Sequence, residues 1–471
     1  MFLHHRLTIG LVVALAASGP AQAETRTLTE ALAAAYSNNP ALQAARAQLR
    51  SVDENVPAAL AGWRPQVTMT ANAGYNEYTT IIHANPTPSS PFATGQATNH
   101  LLGTNTEQLS VSQPIWRGGQ TRAATNRAEN QVMSQRAQLM ATEEQLFTNV
   151  INAFVNVIAN QQVLALDVNN EQVLTRQLQA TNDRFRVGEI TRTDVAQAEA
   201  ALAGATATRQ TAEGNLQTAR SLFLQYIGEL PGQLIEPQPL RLPVRTLEEA
   251  RALASDNNPN VIAAQFNDAA AKDNFDLQYS KLMPNISLQG VLLRNKNLSN
   301  EGETEKSAEI LATVTMPLYQ GGAEYAAIRQ ARQQQQQTRR LIDDARRTAV
   351  QAVIAAWETY NAAKATIEST RSQIKANQIA LEGTEREAIV GTLTTLDVLN
   401  AEQLLLNSRV TLVQNLANLV NASYAVASAV GRLTARDLTL PVPLYDEAAY
   451  YAAVKNRWIG TGDYATNQPG R

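Results

Sequence analysis

The chain has no cysteine, only four histidines, and aromatic residues at just 5% of its 471 positions. Without cysteine there are no disulfides, no thiolate zinc or iron–sulfur ligands, no thiol nucleophile and no N-terminal cysteine to carry a lipid. So few histidines leave little for an imidazole-based metal or acid–base site. No Walker A sequence, no G-x-G-x-x-G and no H-E-x-x-H occurs, and nothing in the pattern gathers the plentiful Asp and Glu into a pocket, so no cofactor and no enzymatic activity are expected. Charge of one sign is lacking too. Lys and Arg number 39 against 42 Asp and Glu, a net charge of −3, so the basic footprint of a nucleic-acid binder is missing.

The apolar run Leu7–Ala17 is too short to span a bilayer. With Arg6 before it and Ala21-Gln22-Ala23 after it, residues 1–23 read as a secretory signal peptide. Its removal takes away Arg6 and two of the histidines, leaving His83 and His100. The mature protein is therefore expected outside the cytoplasm.

Self-comparison reveals a duplication. Thr27-Leu28-Thr29-Glu30-Ala31, Asn38-Asn39-Pro40 and Pro65 return 219 residues later as Thr246-Leu247-Glu248-Glu249-Ala250, Asn257-Asn258-Pro259 and Pro284. Further on, the offset is 203. Pro114-Ile115-Trp116-Arg117-Gly118-Gly119 matches Pro317-Leu318-Tyr319-Gln320-Gly321-Gly322, and Val187-Gly188-Glu189-Ile190-Thr191 matches Val390-Gly391-Thr392-Leu393-Thr394. The difference is an insertion around His83–Pro91 in copy one, whose Pro, Ser and Asn mark an exposed loop. The expected layout is repeat 1 over 24–231, a Pro-rich linker over 232–245, repeat 2 over 246–434 and a tail over 435–471.

Proline is absent from 115–230 and from 318–440, and these stretches are rich in Ala, Gln, Glu, Arg and Leu, so they predict long helices. Apolar residues recur at heptad spacing: Phe147, Val150, Phe154 and Val157 in copy one, answered by Val350, Val353, Trp357 and Tyr360 in copy two. Such seams indicate coiled-coil packing. The Gln333–Gln337 tract reads as a solvated helix face. The spacing predicts helices over 28–63, 119–187, 191–228, 247–282, 322–390 and 394–431.

Strand alternation appears only between the paired prolines, at about 66–75, 106–114, 285–293 and 308–316. Val67, Met69, Ala71, Ala73 and Tyr75 alternate with Thr68, Thr70, Asn72 and Gly74, the apolar-out, polar-in pattern of a membrane barrel strand. At 1.5 Å per residue each long helix reaches ~100 Å, and the two shorter helices of each repeat add up to the same length. Four strands at one end of a helical rod cannot sit in lipid with open edges, so they must pair with other copies. Two copies would supply eight strands, which fill their own interior with side chains, and three would supply twelve, enough for a lumen, so a trimer suits a conduit better.

These residues resemble the TolC-like outer-membrane efflux and secretion channels, over nearly the whole mature chain. The most specific parts are the duplicated Gly-Gly after a strand and the duplicated Val-Gly-x-x-Thr-x-x-Asp turn. The tail residues Tyr445-Asp446 and Lys455–Gly460 look like those of non-lipidated, secretion-type members. The resemblance implies a mainly α fold with a small β part. It also implies a homotrimer whose twelve-stranded barrel sits in outer-membrane lipid and continues as a periplasmic α-helical barrel. The implied partners are a periplasmic adaptor (a membrane fusion protein) and an inner-membrane ABC or RND transporter. The runner-up is an exported coiled-coil stalk or adhesin, which would not need duplicated strand pairs.

Candidate residues follow. Gly188, Thr191 and Asp194, with Gly391, Thr394, Asp397 and Asn400, would form the periplasmic tip and gate. The glycines can end a helix at positive φ, and each Thr–Asp pair can cap the returning helix. In an oligomer the same Asp residues would form a carboxylate ring that binds cations and raises its own pKa. Asn400 stands where some family members have a second carboxylate, and Ala388 and Leu393 replace the Tyr and Arg that lock their closed tip. Arg186, Glu189 and Arg192 are the candidates for a substitute lock. Gly118, Gly119, Gly321 and Gly322 would hinge strand to helix, and Trp63, Trp116 and Tyr319 would sit at the membrane interface.

Overall fold

The protein is described as a computed structural model over residues 27–82, 96–298 and 301–467. The expected signal peptide and the loop around His83–Pro91 lie outside these residues. The fold is mainly α with one small sheet, as the sequence reading has it. In chain order the elements are α1 (Leu28–Asn38), α2 (Pro40–Asp53), α3 (Asn55–Leu60), a 3-10 turn (Ala61–Trp63), β1 (Gln66–Ile82), β2 (Gln96–Trp116), α4 (Gln120–Arg186) and α5 (Arg192–Ile227). The second half gives α6 (Leu247–Asn257), α7 (Pro259–Ser280), β3 (Asn285–Lys296), β4 (Thr304–Thr315), α8 (Ala323–Ile389), α9 (Thr395–Ala429) and, in the tail, α10 (Ala449–Val454). Among the described residues no helix is long and apolar enough to cross a membrane.

The two helices expected over 28–63 and 247–282 are each broken. Asn39 accepts from Ala41 N (2.9 Å) and Leu42 N (3.4 Å) with Pro40 at the first helical position, and Asn258 caps α7 in the same way, accepting from Asn260 N at 3.0 Å. An Asn cap followed by Pro starts a new helix and stops the old one, because the proline has no N–H to continue it. By contrast α4 and α8, free of proline, run unbroken for 67 residues each.

All four strands pair antiparallel in the order β1-β2-β3-β4. Register aligns the apolar positions into rows on one face: Val67–Val111–Gly290–Ile310, and Met69–Leu109–Leu292–Ala308. Their large side chains are exposed, Met69 at 71% and Ile310 at 79%. The next row on that face is Ala71–Glu107–Arg294–Lys306, with Arg294 paired to Glu107 at 3.5 Å. The apolar band of β2 thus begins at Leu109 and runs to the strand's end at Trp116, slightly less than the ~9–11 residues a tilted strand needs to cross lipid. β1 and β2 continue well past this row, pairing out to Ile82 and Gln96.

The described residues divide into two compact units. One holds 27–35, Asn149–Gln238 and Ile367–Val420; the other holds Tyr36–Thr148, Pro239–Thr366 and the chain from Asn421 onward. In the first unit Phe154 packs on Phe223 (centroids 6.2 Å apart), and Leu174, Ala205 and Leu399 form a second buried cluster. In the second unit Val244, Ala250, Val261, Val353, Val426 and Val430 form the core. There the tail is tied down in sequence: Leu433 N donates to Glu144 and Ala435 N to Glu143, Tyr445 N donates to Tyr36 Oη, and the hydroxyl of Tyr450 donates to Glu54. The guanidinium of Arg46, only 1% exposed, is held between the rings of Tyr36 and Tyr445 at 4.4 and 5.1 Å.

Candidate functional site

The duplicated turns sit at the ends of α4 and α8, both in the first unit. Gly188 (φ 78°) and Gly391 (φ 81°) take the left-handed conformation in which only glycine is unstrained. Each turn closes as a Schellman motif. Glu189 N donates to Arg184 O (3.0 Å) and Gly188 N to Phe185 O (2.9 Å). Likewise, Thr392 N donates to Glu387 O (3.0 Å) and Gly391 N to Ala388 O (3.3 Å).

Three residues on, both Thr–Asp pairs make reciprocal caps. Thr191 N and Oγ1 donate to Asp194 Oδ2 at 2.9 and 2.7 Å while Asp194 N donates to Thr191 Oγ1 at 3.4 Å. Thr394 and Asp397 repeat this at 2.9, 2.6 and 3.4 Å. The Thr hydroxyl and backbone N–H hold both carboxyls below their ordinary range. In the single chain the direction is therefore opposite to what a ring of like charges would impose.

Around this shared frame the two turns differ. In copy one Arg184 Nη2 contacts Glu189 Oε1 at 2.7 Å, bridging the turn. In copy two the equivalent positions are Glu387 and Thr392, and the Thr392 hydroxyl donates to the Glu387 carbonyl at 2.9 Å. Arg186 pairs with Asp183 at 3.4 Å rather than with Glu189. Arg184 was not among the candidate residues; its signal was an Arg and a Glu flanking Gly188, five positions apart. Asn400 is exposed, one turn beyond Asp397. Deeper in the α8–α9 pair, burial pushes the Glu402 carboxyl up to about 7, with Glu385 adding to the rise. Exposed Phe185, Val187, Ile389 and Val390 surround the turns.

The hinge glycines belong to the second unit. Gly118 and Gly119 have φ of 57° and 86°, and Gly321 and Gly322 have 71° and 87°. A Cβ on Gly118 would come within 2.3 Å of Met283 Cβ and 2.9 Å of the Ser280 carbonyl, so its backbone packs directly against the end of α7. Gly321 has no such neighbour within 4 Å. Trp63, Trp116 and Tyr319 are exposed at 42, 50 and 78%. Gln113 Nε2 donates to the Trp63 carbonyl at 2.9 Å, tying that turn to the foot of β2.

Comparison with known proteins agrees with this layout. A family model described as outer membrane efflux protein matches residues 31–229 and 251–432, one match per repeat. The outer membrane efflux protein BepC of Brucella suis is 35% identical over 437 residues, covering 93% of this chain and 92% of that protein. The outer membrane protein TolC of Vibrio cholerae is 27% identical, covering 87% of this chain and 92% of that one. Among solved structures, the CmeC outer membrane channel of Campylobacter jejuni superposes with a TM-score of 0.73 at 15% identity, covering 86% of this chain and 85% of that chain.

Proposed function

The chain belongs to the outer membrane efflux protein family and is an outer-membrane export channel reaching into the periplasm, and on that premise we propose that three copies close a single conduit through twelve strands. The observation that carries this reading is the open-edged sheet. Among the described residues β1 and β4 each have one paired neighbour, and the large side chains of the apolar rows are exposed. In hydrocarbon every unpaired backbone N–H or C=O costs several kcal/mol, so β4 of one copy must meet β1 of the next. Four strands cannot close and eight fill their own interior, whereas twelve leave a passage. Half-buried Val350 and Ile354 on α8, which line an open apolar hollow, support the same assembly as a face for a neighbouring helix.

The family is one of channels and not of enzymes, and its members work with a periplasmic adaptor and an inner-membrane transporter. For this chain the transporter, of ABC or RND type, supplies both energy and substrate choice, because the tunnel is passive. The Gly188 and Gly391 turns form the periplasmic mouth and meet the adaptor, with Asp194, Asp397 and Asn400 at the constriction. With Ala388 and Leu393 at the positions of the family's closed-state lock, the Arg184–Glu189 pair is the substitute that holds copy one's turn. Gly118, Gly119, Gly321 and Gly322 absorb the bend between strand and helix, and Trp63, Trp116 and Tyr319 mark the interface.

The test is a heat-modifiable oligomer on SDS gels and a conductance in planar bilayers. Asp397→Lys should weaken divalent-cation block of that conductance several-fold. Unchanged block removes the carboxylate ring, and a monomer without conductance removes the barrel. Deleting the gene and scoring secreted proteins alongside antibiotic sensitivity separates the two cargo classes.

A further inference from the structure

We propose that the end of the C-terminal tail is a phospholipid contact: Arg64 and Arg457 take the phosphate of an acidic glycerophospholipid of the periplasmic leaflet, and Trp458 and Ile459 enter the acyl boundary beside it. The proposal rests on the reading of β1–β4 as membrane-spanning. Its location follows from the chain. Arg64 lies two residues before β1, whose outward apolar row begins at Val67, so this guanidinium stands at the foot of the lipid-facing band. The tail reaches the same point. Lys455 Nζ contacts Glu129 at 2.9 Å, and Arg64 Nη1 donates to the carbonyl of Arg457 at 2.6 Å.

Local geometry then gathers two cations and two large apolar side chains. The Arg64 guanidinium lies 5.1 Å over the Trp458 ring and that of Arg457 lies 3.7 Å over Tyr464. Gly460, at φ 117°, turns the chain so tightly that a Cβ there would meet the Tyr464 hydroxyl at 2.6 Å. Stacking uses the faces of both guanidiniums. One donor of each goes to a backbone carbonyl, Arg457 Nε to Ala453 at 3.2 Å. Each fork has further N–H groups beyond that one bond, in the planar arrangement that suits a phosphate. A cleft of about 410 Å³ opens beside them, lined by Arg64, Arg457, Trp458 and Tyr464; the carboxylate on its wall, Glu54, accepts from the hydroxyl of Tyr450. Trp458 is 66% exposed and Ile459 90%. An indole and an aliphatic side chain left in water next to paired arginines, at the foot of a lipid-facing sheet, is the composition of an interfacial anchor.

Tryptophan fluorescence tests it on the full chain. The protein has four Trp, so the difference between wild type and Trp458→Phe isolates the emission of Trp458. In vesicles of phosphatidylcholine with about a quarter phosphatidylglycerol, lipids brominated near the carbonyl should quench that emission by about half, more when the bromine is on phosphatidylglycerol, while aqueous iodide should quench it little. Arg64→Gln with Arg457→Gln should lower the preference for the acidic lipid roughly fivefold per arginine, and Arg64→Lys with Arg457→Lys should retain most of it. Emission open to iodide but not to bromolipid, or shielded from both by a neighbouring subunit, overturns the contact. Alkali-resistant retention in the vesicles, together with conductance, reports the strands separately. A protein that passes both with Trp458 in water overturns the tail contact alone, whereas one stripped by alkali overturns the spanning sheet and the contact with it.

Discussion

Where α4 buries Phe147, Val150, Phe154 and Val157 completely, α8 carries Val350, Val353, Trp357 and Tyr360 at the matching positions, and of these only Val353 is completely buried. The contrast continues between α4–α5 and α8–α9. In copy one Leu174 packs on Ala205, and Glu171 pairs with Arg209 at 2.7 Å. In copy two the positions of the first pair hold Asn377 and Ser408, hydrogen-bonded at 2.6 Å, while those of the second hold Ile374 and Leu412. Apolar and polar contacts have exchanged places. Duplication kept the residues that dictate backbone conformation, namely Gly, Pro and the Thr–Asp caps, and let the side-chain complement diverge. One copy buries this seam completely within the chain; the other leaves most of it half-buried.

The hinges should separate the copies most. Gly118→Ala combines positive φ, at ~1–2 kcal/mol, with overpacking against Met283 and Ser280, at ~1–3 kcal/mol. Gly321→Ala carries the first cost alone. Thermal unfolding in detergent should show Gly118→Ala several degrees below Gly321→Ala; equal midpoints would mean that the close approach at Gly118 relaxes freely.

The second difference is electrostatic. Asp53 is wholly buried in copy one with neither carboxylate oxygen hydrogen-bonded, while the matching residue of copy two, Lys272, is exposed. Burial pushes Asp53 up to about 7, against the pull of Arg136. A raised acid binds its proton more tightly in the folded state, so this residue lowers stability progressively as pH rises from about 4 towards 7. Asp53→Asn should be neutral near pH 4 and stabilising by about 1–2 kcal/mol at pH 8, allowing for solvent screening. Denaturant midpoints at the two pH values check this, and a variant that destabilises at pH 8 would show instead that the Arg136 attraction dominates.

What could be read from the sequence divides along the same line. Gly118, Gly188 and their partners were legible because a positive-φ glycine or a Thr-x-x-Asp cap is a local signal, and duplication printed each one twice. The Asn39-Pro40 and Asn258-Pro259 breaks were visible as matched motifs, but a length argument treated each stretch as one helix; the caps overrode it. Beyond the Glu107–Arg294 row both faces of the β1–β2 hairpin are polar or mixed, so alternation stops marking strand where lipid no longer demands it. The tail's path beside α2 and α3 had no periodic signature, because single contacts such as that of the Tyr450 hydroxyl on Glu54 hold it. The Arg184–Glu189 pair was missed for a similar reason: its partners face one another only once the Schellman turn has formed.

The two reciprocal caps, by contrast, should carry equal loads. Thr191→Ala and Thr394→Ala each remove a reciprocal cap and should cost about 1 kcal/mol locally, seen as faster hydrogen exchange at the first-turn amides of α5 and α9. Unequal losses would show that the caps carry different loads in the two copies.

The smallest effect belongs to the pair that only copy one has. Arg184→Ala removes a half-exposed ion pair that bridges Gly188, and contacts of this kind contribute under ~1 kcal/mol and fade with salt. Exchange at the Gly188 and Glu189 amides should rise less than threefold in low salt and converge on wild type near 1 M salt. The Gly391 and Thr392 amides should not respond at all. The asymmetry matters more than the size: fraying begins at the turn with the weaker cross-link, and with Arg184 present that is the copy-two turn. If Arg184→Ala makes the two turns exchange at equal rates, the ion pair is the whole of their difference. If copy two still opens first, the carboxylates of Glu385 and Glu402 behind it are the remaining cause; Glu402→Gln should then bring the rates together at pH 8, while at pH 5, where Glu402 already holds its proton, they should coincide without it.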